Sequence, residues 1–157
     1  MEIVRDFCTT KAVSVVDGDR MNQVFWNLSE NALRAMSSGG GKLEVGLHDV
    51  GNEWMISFSD TGTGIEQGRL EKIFEPFQSN FEGGTGLGLA IVYQIVQAHE
   101  GKVWARSKQG QGTTFVLRLR RLDAERAAST GPSAATSKAA VLASQPLAAA
   151  AGGRLHG

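Results

Sequence analysis

Gly83-Gly84-Thr85-Gly86-Leu87-Gly88 runs directly into the apolar, helix-forming stretch Leu89-Ala90-Ile91-Val92. Glycine permits positive φ and lets the backbone come close to a ligand, and the first turn of a helix presents N–H groups with no partner inside the helix. Such a junction suits an anion, above all a phosphate. A P-loop is excluded, because no Lys-Ser or Lys-Thr follows the last glycine. A dinucleotide fingerprint needs a strand before the glycines, and Pro76 to Glu82 carries a proline and polar residues without alternation. Taken alone, the run fits a flexible hinge into a core helix as well as it fits a phosphate loop.

Two further groups of residues could share that chemistry. Gln23, Asn27, Asn31 and Arg34 fall three or four residues apart, which puts them on one side of a helix, with Glu30 beside them. A solvated face would account for them, but such faces usually draw on Lys and Glu, and two Asn lower helix propensity for no structural return. The functional alternative gives Asn31 an amide oxygen for a hard cation and Arg34 a phosphate. Asp60 stands at the end of an alternating segment and opens Asp60-Thr61-Gly62-Thr63-Gly64-Ile65. An ionised carboxylate only accepts, so in a pocket it selects a ligand offering a donor, such as the exocyclic amine of adenine, over guanine, which has an oxygen there. The plainer alternative is a loop carboxylate bonding its own turn.

Other chemistries are excluded by what is missing. Thr61, Thr63 and Ile65 stand where an EF-hand loop would need more acidic or amide ligands, His48, His99 and His156 share no ligand spacing, and Cys8 is the only cysteine. Sixteen basic residues balance sixteen acidic ones, so no global field favours nucleic acid or an anionic membrane, and any anion site must be local. No signal segment opens the chain and no apolar run approaches the ~20 residues that cross a bilayer, which implies a cytoplasmic location without membrane contact.

The elements that must position these groups can be read in order. A short edge strand is expected over Ala12 to Val16, then a helix from Arg20 to Met36 with Asp19 as its cap. Lys42–Asp49 and Glu53–Ser59 alternate about Gly51-Asn52 as a hairpin, and Lys102–Arg106 and Thr113–Arg120 form a second pair about Gln109–Gly112. Between them lie a short helix over Glu66–Phe74, a segment from Gln78 to Gly84 expected to act as a lid pinned by Phe74 and Phe77, and a largely buried helix over Leu87–Ala98. The fold class is α+β: a two-layer sandwich of a mainly antiparallel mixed sheet with helices on one face. With 157 residues and 41% apolar content, one domain is expected over residues 1–121, and the Ala/Ser/Gly-rich residues 122–157 read as a disordered tail.

In this order and spacing the segments resemble the ATP-binding catalytic domain of bacterial sensor histidine kinases, in the superfamily that includes gyrase and the mismatch-repair ATPase. The likeness covers about Val13 to Leu119. Asn27-Leu28-Ser29-Glu30-Asn31-Ala32 looks like the family's asparagine box, Asp60 to Ile65 like its first glycine box, and Ile73-Phe74-Glu75-Pro76-Phe77 like its phenylalanine box. Gly84-Thr85-Gly86-Leu87-Gly88-Leu89 is similar to the second glycine box and Gly110 to Phe115 to the last, with wording nearest the nitrogen-regulation type.

The resemblance implies the Bergerat ATP-binding fold, with ATP and Mg²⁺ as cofactors. It places Mg²⁺ on Asn31, the adenine amine on Asp60 with Gly62 and Gly64, the triphosphate on Gly84, Thr85, Gly86, Leu87 and Gly88, Asn27 and Arg34 near the phosphates, and Thr113 at adenine through water. It also implies transfer of the γ-phosphoryl group to a histidine on a dimerisation and phosphoacceptor domain, then to a response regulator, in two-component signalling. The superfamily's ATPases carry Glu one turn before the metal Asn, where this chain has Asn27, and an amide cannot take a proton from water at neutral pH. None of the three histidines sits in a His-Glu-x-x-Asn-Pro-like helix, so the chain reads as a catalytic module, either a cytoplasmic protein or the cytoplasmic part of a membrane-bound sensor. An ATPase or serine-directed kinase of the same superfamily, and a non-catalytic nucleotide sensor, are the alternatives.

Overall fold

A computed structural model describes residues 1–78 and 85–122. Gly83 and Gly84, most of the expected lid and the tail after Leu122 lie outside the described residues. In chain order the elements are β1 (Glu2–Phe7), α1 (Gly18–Ala35), β2 (Lys42–Asp49), β3 (Glu53–Asp60), α2 (Gln67–Leu70), α3 (Gly88–Ala98), β4 (Lys102–Lys108) and β5 (Gly112–Arg120). The strands form one sheet in the order β1-β2-β3-β5-β4, antiparallel except for β1 against β2. The fold is thus the α+β sandwich expected of the sequence.

Burial explains the layering. Met21, Val24, Leu28, Ala32 and Ala35 recur along one stripe of α1, and Val92, Ile95 and Val96 along one stripe of α3. Both meet the face of the sheet that carries Leu43, Phe58, Phe115, Leu117 and Leu119. Phe25 of α1 lies 5.8 Å from Phe58, ring centroid to centroid. Tyr93, Gln94 and Gln97 keep the other side of α3 in solvent, so this helix is two-faced and less buried than expected.

The expected edge strand at Ala12–Val16 does not form. The edge is instead β1, six residues whose side chains are mostly exposed and whose attachment is through the backbone, as in Glu2 N–H to Gly41 O at 2.8 Å and Cys8 N–H to Leu47 O at 2.9 Å. Without a buried face, β1 has no alternation to detect. Residues 12–16 carry no regular secondary structure and cross the end of the sheet: Trp54 Nε1–H donates to Val13 O at 3.0 Å and Ser14 Oγ–H to Arg120 O at 2.5 Å.

α1 begins earlier than expected, because Asp17 and not Asp19 caps it, with Oδ1 accepting from Arg20 N–H at 3.0 Å. His99 at the end of α3 then ties the two helices. Its Nε2 accepts from Asp17 N–H at 2.9 Å, so Nδ1 carries the proton and donates to Ile95 O at 2.7 Å. His99→Ala is expected to lower unfolding free energy by about 1 kcal/mol in urea titration by removing this bridge. α2 is a single turn and not the helix over Glu66–Phe74. Its N-cap Glu66 makes no side-chain cap and Gly68 lies within it.

Candidate functional site

α1 and the start of α3 enclose a cavity of about 280 Å³. Its walls include Asn27, Asn31 and Arg34 from the polar stripe of α1, and Thr85, Gly86, Leu87 and Gly88 from the glycine run. These residues, far apart in the chain, are thus brought to one cavity wall. Arg69 from α2 and Ile73 were not foreseen on the wall, which Gln78, the first residue of the expected lid, also joins. No periodicity marks them, since α2 is one turn long and residues 71–77 form a succession of turns.

Two features of the cavity call for a ligand that accepts hydrogen bonds. The N-terminus of α3 has Leu87 as its N-cap and no side-chain cap, unlike α1 with its Asp17, so its first-turn N–H groups open toward the glycine run. Asn27 Nδ2 is fully buried and without a hydrogen-bond partner among the described residues, on an amide that sits against Gly88. A buried unsatisfied donor is costly, and a phosphate oxygen would relieve it. Arg34 is held by Glu30 at 2.7 Å, but both side chains are 43% exposed, and such a surface pair is worth only about 0–1 kcal/mol. A phosphate can compete for that guanidinium.

Asp60, Gly62, Gly64 and Thr113 do not line this cavity. They form a second cluster, one turn of α1 beyond Asn31, where Thr63 N–H donates to Ala35 O at 3.0 Å. Asp60 and Thr113 are register partners at the ends of β3 and β5, on the same face as the core residues Phe58 and Phe115 two positions away. Asp60 is 5% exposed, and its Oδ1 accepts from Gly62 N–H at 2.8 Å and Thr113 N–H at 3.3 Å. Burial raises the Asp60 carboxyl above the usual aspartate value, and those two N–H groups partly oppose the rise. Both of these bonds fall on Oδ1, so among the described residues Oδ2 is left for a donor on a ligand.

The glycines of this loop answer to protein packing as well. A Cβ on Gly62 would lie 2.6 Å from Ala35 Cβ, and one on Gly64, at φ 68°, would lie 2.1 Å from Lys108 O. The loop is thereby pressed between α1 and the β4–β5 turn, where Gly110 N–H reaches Thr63 O at 2.7 Å. Of the two aromatics expected to pin the segment after α2, only Phe74 does so, 6.5 Å from Phe115 edge to face and 5.9 Å from Tyr93. Phe77 is 79% exposed at φ 66°, with Gly86 seated on its backbone.

Comparison with known proteins shows where this arrangement belongs. The family described as histidine kinase-, DNA gyrase B- and HSP90-like ATPases matches residues 16–123. The chain belongs to that family. Its relatives include the autoinducer 2 sensor kinase/phosphatase LuxQ of Vibrio parahaemolyticus, 37% identical over 147 residues, which cover 79% of this chain and 17% of LuxQ. They also include the sensor protein kinase WalK of Staphylococcus saprophyticus, 39% identical over 124 residues, covering 74% of this chain and 20% of WalK. The chain thus spans about a fifth of the length of these family members. Among solved structures, the catalytic domain of histidine kinase ThkA superposes with a TM-score of 0.69 at 29% identity, covering 76% of this chain and 78% of that one. Full-length ShkA in complex with AMPPNP gives a TM-score of 0.66 at 28% identity, over 75% of this chain and 25% of ShkA. These relatives lend no support to the nitrogen-regulation likeness in particular. An ATP-binding domain of the sensor-kinase kind is what family and fold together show.

Proposed function

We propose that this domain, residues 1–121, binds Mg-ATP and donates its γ-phosphoryl group to a histidine on a separate helical phosphoacceptor domain, from which a response regulator receives it. The observation that carries the reading is the convergence, on one cavity, of a helix N-terminus without a side-chain cap, Asn27 Nδ2 without a partner among the described residues, Asn31 and Arg34. ShkA, a relative in fold, has been seen with the ATP analogue AMPPNP.

The α3 N–H groups and Asn27 would take the phosphate oxygens, Gly84 to Gly88 would follow the triphosphate, and Arg34 would leave Glu30 for the terminal phosphate. The Asn31 amide oxygen is the ligand proposed for Mg²⁺, which commonly keeps one or two protein ligands and takes the rest from phosphate and water. When bound, the ion supplies neutralisation of charge on the β and γ oxygens. Asp60, through Oδ2, and Thr113 would hold the adenine edge. In the transfer itself an imidazole nitrogen attacks the γ phosphorus in line, the bond to the β–γ bridging oxygen breaks, and ADP leaves. The phosphoacceptor domain and response regulator are partners proposed from the relatives' sensor-kinase character. Among the described residues no helix is long and apolar enough to cross a membrane.

Hydrolysis by the same site is the second reading, and one observation bears on it. Glu30 is the only carboxylate among the described residues of the cavity wall, and Arg34 holds it as an ion pair. It stands beside Asn31 on α1 and not one turn before it, where Asn27 offers only an amide that takes no proton at neutral pH, so the chain alone should turn ATP over slowly. Steady-state ATP turnover checks this: Asn27→Glu, which places a carboxylate one turn before Asn31, is expected to raise hydrolysis by about 10². Rapid turnover by the wild type, abolished by Glu30→Gln, would establish the ATPase instead.

A further inference from the structure

Ser107, Thr113 and Asp60 form a polar row across three strands at one level, Ser107 opposite Thr113 between β4 and β5, and Thr113 opposite Asp60 between β5 and β3. Ser107 Oγ is the hub of the row. It lies 2.9 Å from Gly112 O, 2.9 Å from Thr113 Oγ1 and 2.7 Å from Ile65 N.

The proton positions are set by valence. A serine hydroxyl has one proton and two lone pairs. The Gly112 carbonyl can only accept, so it takes the Ser107 proton. The Ile65 N–H can only donate, so it occupies one lone pair. The contact with Thr113 must then be a donation by the Thr113 hydroxyl into the remaining lone pair. With its proton committed to Ser107, Thr113 Oγ1 can only accept from any other group. Asp60 beside it is likewise an acceptor when ionised.

We propose that Ser107 is a specificity-determining positioning residue. By fixing the proton of Thr113 it makes the row present acceptors only, which selects a purine edge bearing an exocyclic amine and rejects one bearing a carbonyl at the same place. The inference rests on the nucleotide-binding reading above and adds to it the origin of base selectivity. Ser107 touches no base itself and acts through Thr113 and, by way of Ile65, through the loop that carries Gly64. In the Ser107→Ala variant the Thr113 hydroxyl is free to rotate and donate to a carbonyl.

The test is titration of ATP, ITP, whose base carries a 6-oxo group in place of the amine, and inorganic tripolyphosphate, each with Mg²⁺. It is run on the wild type, Ser107→Ala, Thr113→Val and the double variant. Ser107→Ala is expected to reduce the ATP-over-ITP preference roughly tenfold, the worth of about one hydrogen bond, while tripolyphosphate affinity stays unchanged. In the Thr113→Val background, adding Ser107→Ala should change the preference no further. Ser107→Thr and Thr113→Ser keep both hydroxyls and should keep the preference, which provides a measure if the alanine variant folds poorly. An unaltered preference in Ser107→Ala overturns the inference. So does an equal fall for ATP and tripolyphosphate, which would mark structural support alone, or an effect that persists without the Thr113 hydroxyl. A wild type that binds no ATP would instead overturn the nucleotide reading on which the inference stands.

Discussion

Asp60→Asn is expected to weaken Mg-ATP binding about 100-fold, equivalent to about 2–3 kcal/mol for a lost charge-assisted hydrogen bond, while leaving the fold at least as stable as the wild type. The two effects have opposite signs because they draw on different properties of one carboxylate. Its Oδ1 accepts from Gly62 and Thr113 N–H, and an Asn side-chain oxygen can accept both. The Asn NH₂ would then face the ligand, a donor set against the donor amine of adenine. Stability moves the other way, because burial raises the Asp60 pKa in the folded protein. As pH climbs from the ordinary aspartate value to that raised value, the unfolded chain ionises first and folding stability falls; above it the loss is constant. A neutral isostere escapes that loss. Thermal melts of nucleotide-free protein should show a melting temperature for Asp60→Asn equal to or above the wild type at neutral pH, converging at acid pH. Mg-ATP affinity of the wild type should decline as pH falls through the raised Asp60 value, at a higher pH than for an exposed aspartate.

Asn31→Ala is expected to have the larger effect on chemistry. Asn31 is half-buried on the cavity wall, in mid-helix, where Ala is the better helix former by about 0.5 kcal/mol, so the fold should not suffer. What is lost is the proposed oxygen ligand for Mg²⁺. Nucleotide affinity should cease to depend on Mg²⁺, and phosphoryl transfer should fall by about 10³ or more, because charge on the β and γ oxygens is no longer offset in place. Calorimetric titration of ATP with and without Mg²⁺, with melting curves of both proteins, separates this from misfolding. Retention of a Mg²⁺ effect on affinity in Asn31→Ala would remove Asn31 from the metal site.

The sequence showed most clearly those parts in which one element carries both burial and chemistry. α1 is such an element: its apolar stripe at Met21, Val24, Leu28 and Ala32 declares the helix, and the leftover polar stripe at Asn27, Asn31 and Arg34 declares the cavity wall. The two antiparallel hairpins were legible from alternation about their turns, and Asp60 from its place at a strand end. Features whose partners are remote were not. β1 is held in parallel by backbone groups of β2 and leaves its side chains exposed, so its residues follow no pattern. The Asp17 cap is local, through Oδ1 to Arg20 N–H, with a second acidic candidate, Asp19, two residues on; what the sequence hides is the tie from Asp17 N–H to His99, 82 residues away. Arg69 and Ile73 reach the cavity because turns steer them there, and Ser107 matters through three contacts that only the sheet register brings together. Phe77 shows the converse, an aromatic whose composition suggested burial and whose positive φ turns it to solvent.

Transfer of the γ-phosphoryl group of ATP from this domain to a histidine outside itself can be followed directly. The direct measurement is incubation of the chain with γ-labelled ATP, Mg²⁺ and a purified helical phosphoacceptor domain from a sensor kinase, with assay of the acceptor for acid-labile, base-stable label. Label is expected on the acceptor histidine, dependent on Mg²⁺, lost in Asn31→Ala and absent when that histidine is replaced. Release of inorganic phosphate at the full rate of ATP consumption, with none of the label on histidine, would contradict that transfer.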